Sequence, residues 1–242
     1  MKKILLIGLV LILVLCLPLT ACKKDVGSTG ATGSSKGNAQ QDSYASAKVG
    51  DTVQFAGFDW RVLEVSEDLI MIVSVNLLDS DQYNFVNAKM TWAESSLRES
   101  LNSYFYDKTF SDEDKALIAE TTVINADNPW YGTPGGDNTE DKLFLLSIEE
   151  VVKYFGDSGM LANRPEDAKS IEDQYDKARI ACYDRTGIDS WWWLRSPGDG
   201  PTQAALINQF GGLRICGFDV HLDDHFPEGR GGIRPALWLK TA

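Results

Sequence analysis

Both histidines of the chain lie within one short acidic segment, His221-Leu222-Asp223-Asp224-His225. Two histidines four residues apart share one face of a helix, where their imidazoles can chelate zinc. This segment, however, follows a predicted strand and precedes a Pro- and Gly-containing loop, where the spacing fixes no geometry. Three alternatives stay open: a solvated acidic turn, a calcium site at Asp223 and Asp224, and a transition-metal site that adds His221 and His225.

A second candidate is the polar loop from Asn125 to Asp141, which contains Trp130 and Tyr131. Loops often carry binding residues, and an aromatic ring offers a flat face on which a sugar or a peptide can stack. We therefore assign Trp130, Tyr131, Asp223 and Asp224 to a ligand-binding loop surface. The alternative is that the two rings only pin the loop to the body of the domain.

No standard catalytic motif is present. The chain has no G-x-S-x-G elbow, no H-E-x-x-H zinc helix and no phosphate-binding loop. In the run Trp191-Trp192-Trp193, successive strand residues face opposite sides, so at least one face of the strand belongs to the core. Arg195 and Arg234 are predicted to form buried or half-buried pairs within a sheet. We therefore expect a domain without catalytic activity.

The N-terminus has the layout of a secretory signal peptide. Lys2 and Lys3 precede the apolar run from Ile4 to Leu19, which is shorter than the roughly 20 residues of a spanning helix. The run ends at Leu19-Thr20-Ala21-Cys22, which resembles a lipobox, the motif that lipoprotein signal peptidase cleaves. The resemblance implies that residues 1–21 are removed and that Cys22 carries a diacylglyceryl group. Two acyl chains suffice for stable membrane attachment.

Residues 22–47 are predicted to form a flexible tether, because they are rich in Gly, Ser, Thr, Ala and Gln. Residues 48–242 then suit a single domain of ordinary size. The formal net charge of -12 argues against nucleic acid as a partner, since nucleic acids bind basic surfaces. Cys182 and Cys216 remain in the domain, where a disulfide bond and two buried thiols are both compatible with their spacing.

Helices are predicted in the middle of this domain. Thr91 with Glu94 and Ser147 with Glu150 match the capping-box pattern, and each precedes apolar residues at helical spacing. The first of these helices carries an apolar series, Trp92, Leu97, Leu101, Tyr104 and Phe105. Shorter or less certain helices are predicted over Ser111–Ala119 and around Ile171–Cys182.

Strands are predicted on both sides of the helices. Val49–Val75 indicates two or three strands, and Phe144–Leu146 indicates one more. The predicted C-terminal strands are Trp191–Leu194, Ala204–Phe210, Leu213–Phe218 and Ile233–Leu239, with a hairpin at Gly211-Gly212. Strands, then helices, then strands is the order of an α+β domain.

Five motifs occur in order along the domain: Gly57-Phe58-Asp59-Trp60-Arg61-Val62-Leu63, Ser96-Leu97-Arg98 with Leu101-Asn102, Asp141-Lys142-Leu143-Phe144-Leu145-Leu146-Ser147, Trp192-Trp193-Leu194-Arg195-Ser196-Pro197-Gly198 and Ile233-Arg234-Pro235-Ala236-Leu237-Trp238-Leu239. They resemble a family of bacterial domains of unknown function that is common on surface proteins and lipoproteins of Firmicutes. The resemblance implies a surface location and no particular activity.

The C-terminal motifs are also similar to the C-terminal half of C-type-lectin-like domains, a group that includes formylglycine-generating enzymes. This second resemblance implies a twisted antiparallel C-terminal sheet whose loops carry the ligand site. The chain lacks the Glu-Pro-Asn and Trp-Asn-Asp triplets of the calcium-dependent sugar binders and the closely spaced cysteine pair of the enzymes. Neither activity is therefore carried over.

These observations predict a lipid-anchored protein on the extracytoplasmic face of the cell membrane. Its domain is expected to bind a glycan, a peptide or a partner protein without a cofactor, although calcium is compatible with Asp223 and Asp224. One alternative is a metal-dependent extracellular enzyme that uses His221 and His225. The other is a structural lipoprotein of the envelope.

Overall fold

The structure is a computed structural model that describes residues 44–221 and 230–241. The strands are β1 (Thr52–Phe55), β2 (Phe58–Val65), β3 (Leu69–Ser74), β4 (Asp79–Asp81), β5 (Ile118–Ala119), β6 (Thr121–Val123), β7 (Thr139–Asp141), β8 (Ser170–Ile171), β9 (Ala181–Cys182), β10 (Asp189–Ser190), β11 (Trp192–Pro197), β12 (Gln203–Ile207), β13 (Leu213–Asp219), β14 (Gly231–Ile233) and β15 (Ala236–Lys240). The helices are α1 (Ser96–Ser100), a π-helix (Leu101–Phe105), α2 (Tyr106–Thr109), α3 (Asp112–Leu117), α4 (Ile148–Phe155) and α5 (Asp176–Arg179).

Two sheets form the body of the fold. The first has the order β1-β2-β3-β15-β5 and is antiparallel throughout. The second has the order β4-β14-β11-β12-β13-β8, in which β11 and β14 form the parallel pair. Two short ladders, β6–β7 and β9–β10, flank them. The expected α+β class and the hairpin at Gly211-Gly212, between β12 and β13, are confirmed.

The segment Ile233–Leu239 was expected to form one strand of the C-terminal sheet, and this expectation is wrong. Arg234 and Pro235 divide it into β14, which lies in the second sheet, and β15, which lies between β3 and β5 in the first. Proline has no N–H to donate to a ladder, so it favours a break in strand pairing. The Pro235 carbonyl still accepts a hydrogen bond from the Ser74 N–H at 3.0 Å.

The folded domain begins earlier than the predicted boundary at residue 48. Tyr44 is 1% exposed, and its hydroxyl donates to the Gln54 carbonyl at 2.8 Å. Its ring meets that of Phe55 edge to face, with centroids 6.3 Å apart. Ala47 is also buried. The predicted tether thus extends too far, because a single tyrosine among its small and polar residues supplies enough apolar surface to join the core.

Side-chain caps mark the starts of α1, α3 and α4. Both Ser111, before α3, and Ser147, before α4, form complete capping boxes, so these two predicted helices are confirmed. The helix predicted at Thr91 begins later, because Ser95 caps α1 by accepting from the Arg98 N–H. The Thr91 hydroxyl does meet the Glu94 carboxylate at 3.0 Å, but within a turn that precedes the helix.

Two other local predictions are met only in part. The region Ile171–Cys182 contains only the single-turn helix α5 between two short strands. Phe144 forms an isolated bridge to Ala236 rather than part of a strand. Its neighbours are nonetheless fully buried, and the Leu146 carbonyl accepts from the Arg195 N–H at 3.0 Å.

The three consecutive tryptophans are all in the core. Trp191 and Trp193 meet edge to face at 4.7 Å between centroids. Trp192 points the other way, as strand geometry requires, and lies 4.9 Å from the guanidinium of Arg234. Their exposed fractions are 5%, 0% and 0%, which leaves no ring free for a ligand.

Two further findings concern the membrane and the cysteines. Within residues 44–221 and 230–241, no helix has the length and apolar character to cross a bilayer. Cys216 is a buried, free thiol, so Cys182 and Cys216 are not joined by a disulfide bond.

Candidate ligand-binding groove

A groove with a volume of about 400 Å³ opens on one side of the domain. Four segments distant in sequence line it: the β1–β2 turn with Phe58, residues 77–80, one face of the helix over residues 104–109, and residues 183–185. The volume falls within the range of small-molecule sites. We refer to it as the aromatic groove, because Phe58, Tyr104, Phe105 and Tyr183 all contribute to its lining.

The helical wall of the groove depends on the π-helix. From α1 through the π-helix to the end of α2, the buried apolar residues are Leu97, Leu101, Tyr106 and Phe110, at steps of four, five and four residues. A regular α-helix would place Phe105, four residues after Leu101, on the buried face. The wider π turn puts Tyr106 there instead. Phe105 is only partly buried, and it lines the groove.

Tyr104 is the most exposed ring of the groove, with 67% of its surface accessible. The ammonium of Lys108, one turn later, lies 5.4 Å from the centre of this ring. An exposed aromatic face is costly to hydrate and favourable to cover. Tyr104 and Lys108 therefore present an exposed aromatic ring with a cation over one of its faces.

The β1–β2 turn forms a second part of the lining. Ala56 has φ 50° and Gly57 has φ 82°, as a two-residue hairpin turn with both central residues left-handed requires. A left-handed alanine is uncommon and costs free energy, and such residues cluster at functional sites. The turn is held in place because Phe55, just before it, stacks on Phe110 at 5.7 Å between centroids.

The opposite wall joins two segments through Leu77. Its N–H donates to the Cys182 carbonyl at 2.8 Å, and its carbonyl accepts from the Asp184 N–H at 3.1 Å. The Asn76 side-chain amide also donates to the Asp184 carboxylate at 3.2 Å. Leu77 is buried, whereas Tyr183 is half-buried and turned to the groove. This wall is therefore held by backbone bonds on both sides.

Two carboxylates and two cations lie on the groove. The Asp184 carboxylate accepts from Asn76, and the Asp79 carboxylate accepts from the Ser80 N–H at 2.9 Å. Lys108 and Arg185 are exposed, and neither forms an ion pair with any described residue. Each carboxylate thus accepts one hydrogen bond from a neighbouring group, while neither cation is paired with a carboxylate of the described residues.

Trp130 and Tyr131, the aromatic pair predicted from sequence, lie elsewhere. The Arg164 guanidinium is 4.9 Å from the Trp130 ring and 4.5 Å from the Tyr131 ring. It also donates to the Trp130 carbonyl at 3.2 Å and to the Tyr131 hydroxyl at 3.0 Å. The Trp130 indole N–H donates to the Leu161 carbonyl at 2.9 Å. Arg164 thus covers part of both rings.

Asn128 fixes the loop that carries Trp130 and Tyr131 to the body of the domain through side-chain hydrogen bonds. Its side-chain oxygen accepts from the N–H groups of Trp130 and Tyr131, and its amide donates to the Pro197 carbonyl at 2.8 Å. Both rings are partly buried against the core. Burial raises the pKa of the Tyr131 hydroxyl, and the nearby Arg164 only partly offsets this effect. These contacts favour the alternative in which the two rings hold the loop against the body of the domain. Both rings remain partly accessible to solvent.

None of the remaining predicted site residues is among the described residues that line the aromatic groove. Cys22, Asp223, Asp224 and His225 lie outside the described residues. His221 is half-buried shortly after β13, and its Nδ1 is buried with no hydrogen-bond partner among residues 44–221 and 230–241. In the part of the chain that the structure describes, no group of three or more His, Cys, Asp and Glu side chains is placed to hold a metal ion.

The aromatic groove was missed by the sequence analysis. Tyr104 and Phe105 were both assigned to the apolar face of a regular helix. That assignment did not consider that Tyr104, Phe105 and Tyr106 are consecutive and cannot all lie on one face. The available signal was the competition between Phe105 and Tyr106 for the position after Leu101. Ala56-Gly57 between two apolar runs was a second signal, since it marks a tight turn.

Comparisons with known proteins identify one family. The model of a family described as a domain of unknown function, DUF6273, matches residues 67–241. No curated protein and no solved structure matches the chain. The similarity to C-type-lectin-like domains therefore stays a prediction.

Proposed function

The chain belongs to the DUF6273 family of domains of unknown function, and from the geometry of its groove we propose that it is a saccharide-binding domain. The proposal places the domain on the extracytoplasmic face of the membrane, tethered through a lipid on Cys22. The aromatic groove is the single observation that carries the binding role. The lipobox-like motif supports the location.

The groove has the composition that saccharides require. A sugar ring has an apolar C–H face that stacks on aromatic rings and a polar edge of hydroxyl groups. Tyr104 offers an open ring face, and Ser80, Thr109 and Asp79 place hydroxyl and carboxylate oxygens around it. A mainly apolar cleft with a few polar groups is the usual form of a ligand site.

The same lining favours binding over catalysis. Among the described residues that line the groove there is no histidine and no cysteine. The carboxylate of Asp184 is held by the Asn76 amide and so is fixed in orientation. Such a group is suited to accept a hydrogen bond from a ligand.

Glycan-array binding with the full-length protein in detergent micelles tests the proposal. The array carries neutral and acidic oligosaccharides and cell-wall fragments, with calcium and again with chelator. We expect chelator-insensitive hits, because the groove carries its own charged side chains and needs no metal ion. A Tyr104→Ala variant should bind these hits about tenfold more weakly, since it loses one stacking face.

Phe210→Ala is the matched control, because Phe210 is 72% exposed and lies away from the groove. Both exposed rings can be removed without opening the core. A blank array with folded protein, or hits that Tyr104→Ala leaves unchanged, would overturn the proposal. Hits lost on chelation would also contradict it and direct attention to Asp223 and Asp224.

A further inference from the structure

We infer that the saccharide held by the aromatic groove is anionic, and that its carboxylate or phosphate group binds between Lys108 and Arg185. This inference rests on the proposed function and names the ligand class for the same site. It follows from the arrangement of charge on the groove.

The first step is the state of the charged groups. Lys108 and Arg185 line the groove, are exposed, and form no ion pair within the described ranges 44–221 and 230–241. The chain has 35 acidic and 23 basic residues, so carboxylates are in excess as potential partners. Asp79 and Asp184 lie on the same groove, yet each is bound to an N–H group, of Ser80 and Asn76, rather than to a cation. The two cations are therefore available to a ligand.

The second step is the position of Lys108 relative to the stacking face. Its ammonium lies 5.4 Å from the centre of the Tyr104 ring. Because the ammonium lies over the ring, an acidic group that approaches this face of Tyr104 meets the ammonium directly. Charge-assisted hydrogen bonds of this kind are about twice as strong as neutral ones.

The third step is specificity. A formal net charge of -12 repels anions at long range, so an anionic ligand gains little from steering. The preference has to arise from short-range contacts with a few cations. Guanidinium groups bind carboxylate and phosphate in a bidentate manner, which suits Arg185 to this role. The groove would thus select one acidic group on a particular ring edge rather than polyanions in general.

The test compares saccharides that differ only in charge. One pair is a uronic-acid oligosaccharide and its methyl ester, and the other is a phosphate-bearing oligosaccharide and its dephosphorylated form. Calorimetric titration of the full-length protein in detergent micelles gives the affinities. We expect one acidic member to bind about tenfold more tightly than its neutral partner, as a hydrogen bond to a charged group provides. Which pair responds distinguishes a carboxylate from a phosphate ligand.

The variants Lys108→Gln and Arg185→Gln should each reduce that preference, and the double variant should bind the acidic and neutral members equally. Lys89→Gln is the control, because Lys89 is an exposed cation that does not line the groove. Equal binding of acidic and neutral saccharides, with Tyr104→Ala still weakening both, would overturn this inference alone. Absence of binding to either member would overturn the proposed function with it.

Discussion

The Arg195 guanidinium, on β11, lies 2.8 Å from a carboxylate oxygen of Glu150 in the first turn of α4. The second carboxylate oxygen of Glu150 also accepts from the Ser147 N–H at 2.9 Å, which completes the capping box. Arg195 is buried and additionally donates to the Leu145 carbonyl at 2.7 Å. A single glutamate therefore starts the helix and neutralises a buried cation of the neighbouring sheet. The buried pairing expected for Arg195 is confirmed.

Replacing Glu150 with alanine is expected to lower the free energy of unfolding by about 3 kcal/mol. The change removes the capping contact and leaves the Arg195 charge buried without a partner. Denaturant unfolding followed by circular dichroism measures the difference. Glu149→Ala is the matched control in the same helical turn and should cost well under about 1 kcal/mol. Similar losses for both variants would show that the ion pair contributes little.

Arg234 is a buried cation that we expect to be essential to the junction of the two sheets. It donates to the carbonyls of Ser74 at 2.9 Å, Val75 at 3.2 Å and Arg179 at 3.3 Å, and no carboxylate pairs with it among the described residues. Burial lowers its pKa to about 9. Arg234→Met should lose about 3 kcal/mol, because the carbonyls of Ser74 and Val75 would each lose the guanidinium donor. A thermal transition within a few degrees of the unaltered protein would contradict this.

Arg164→Ala is expected to loosen two loops without unfolding the domain. Arg164 joins Trp130 and Tyr131 to the Ala168 carbonyl, to which it donates at 2.7 Å. Hydrogen exchange measured by mass spectrometry should become faster in residues 128–132 and 161–168. The free energy of unfolding should fall by about 1 kcal/mol or less, because Arg164 is exposed. Lys169→Ala serves as the control, and equal exchange in both variants would refute the loop-joining role.

The stability of the domain should depend on pH through Glu64. Hydrogen bonds from Lys153, at 2.6 Å, and from Tyr154 hold the pKa of Glu64 below its ordinary value of 4.5. A lowered folded-state pKa means that this contribution is present above the unfolded pKa and is lost as the pH falls through the folded pKa. The contribution is small, at most about 1 kcal/mol, because Glu64 and Lys153 are largely exposed.

Unfolding titrations of the protein and of Glu64→Gln between pH 7 and pH 3 would measure this contribution. The two stabilities should converge as the pH falls below about 4.5, since only the unaltered protein then loses its ionised carboxylate. A constant difference over the whole range would exclude the proposed linkage. The control is Glu67→Gln, at an exposed residue just beyond β2.

Cys22→Ser should abolish lipid attachment. The thiol of Cys22 is the acceptor that the lipobox-like motif implies, and a serine hydroxyl does not form the thioether. Mass spectrometry of the purified protein should show the loss of the acyl groups, and membrane fractionation should show the uncleaved form. An unmodified Cys22 in the unaltered protein would refute the predicted anchor.

Short-range patterns in the sequence predicted the local structure well. Ser147 was identified as a helix start because a capping box involves residues only three apart, and Ser111 because acidic residues follow it directly. The hairpin at Gly211-Gly212 depends on two adjacent residues. The helix start predicted at Thr91 was wrong, because a Thr and a Glu three residues apart can also form a hydrogen bond within an isolated turn.

The groove could not be predicted in this way. Its lining comes from four segments, and the position of Tyr104 depends on whether Phe105 or Tyr106 is buried after Leu101. That choice is made by Phe110 and Phe55, whose ring contact anchors the helix end to the β1–β2 hairpin. Tertiary packing therefore decides a helical irregularity that local propensity does not specify.

The position of β15 has a consequence for how the protein is made. This strand is the last of the described strands along the chain, yet it lies inside the first sheet, between β3 and β5. During synthesis, β3 and β5 expose unpaired edges until β15 emerges, and such edges invite pairing with other chains. The sheet can close only after nearly the whole domain has left the ribosome. The closing of this sheet therefore depends on pairing between distant parts of the chain, a kind of contact that is intrinsically slow to form.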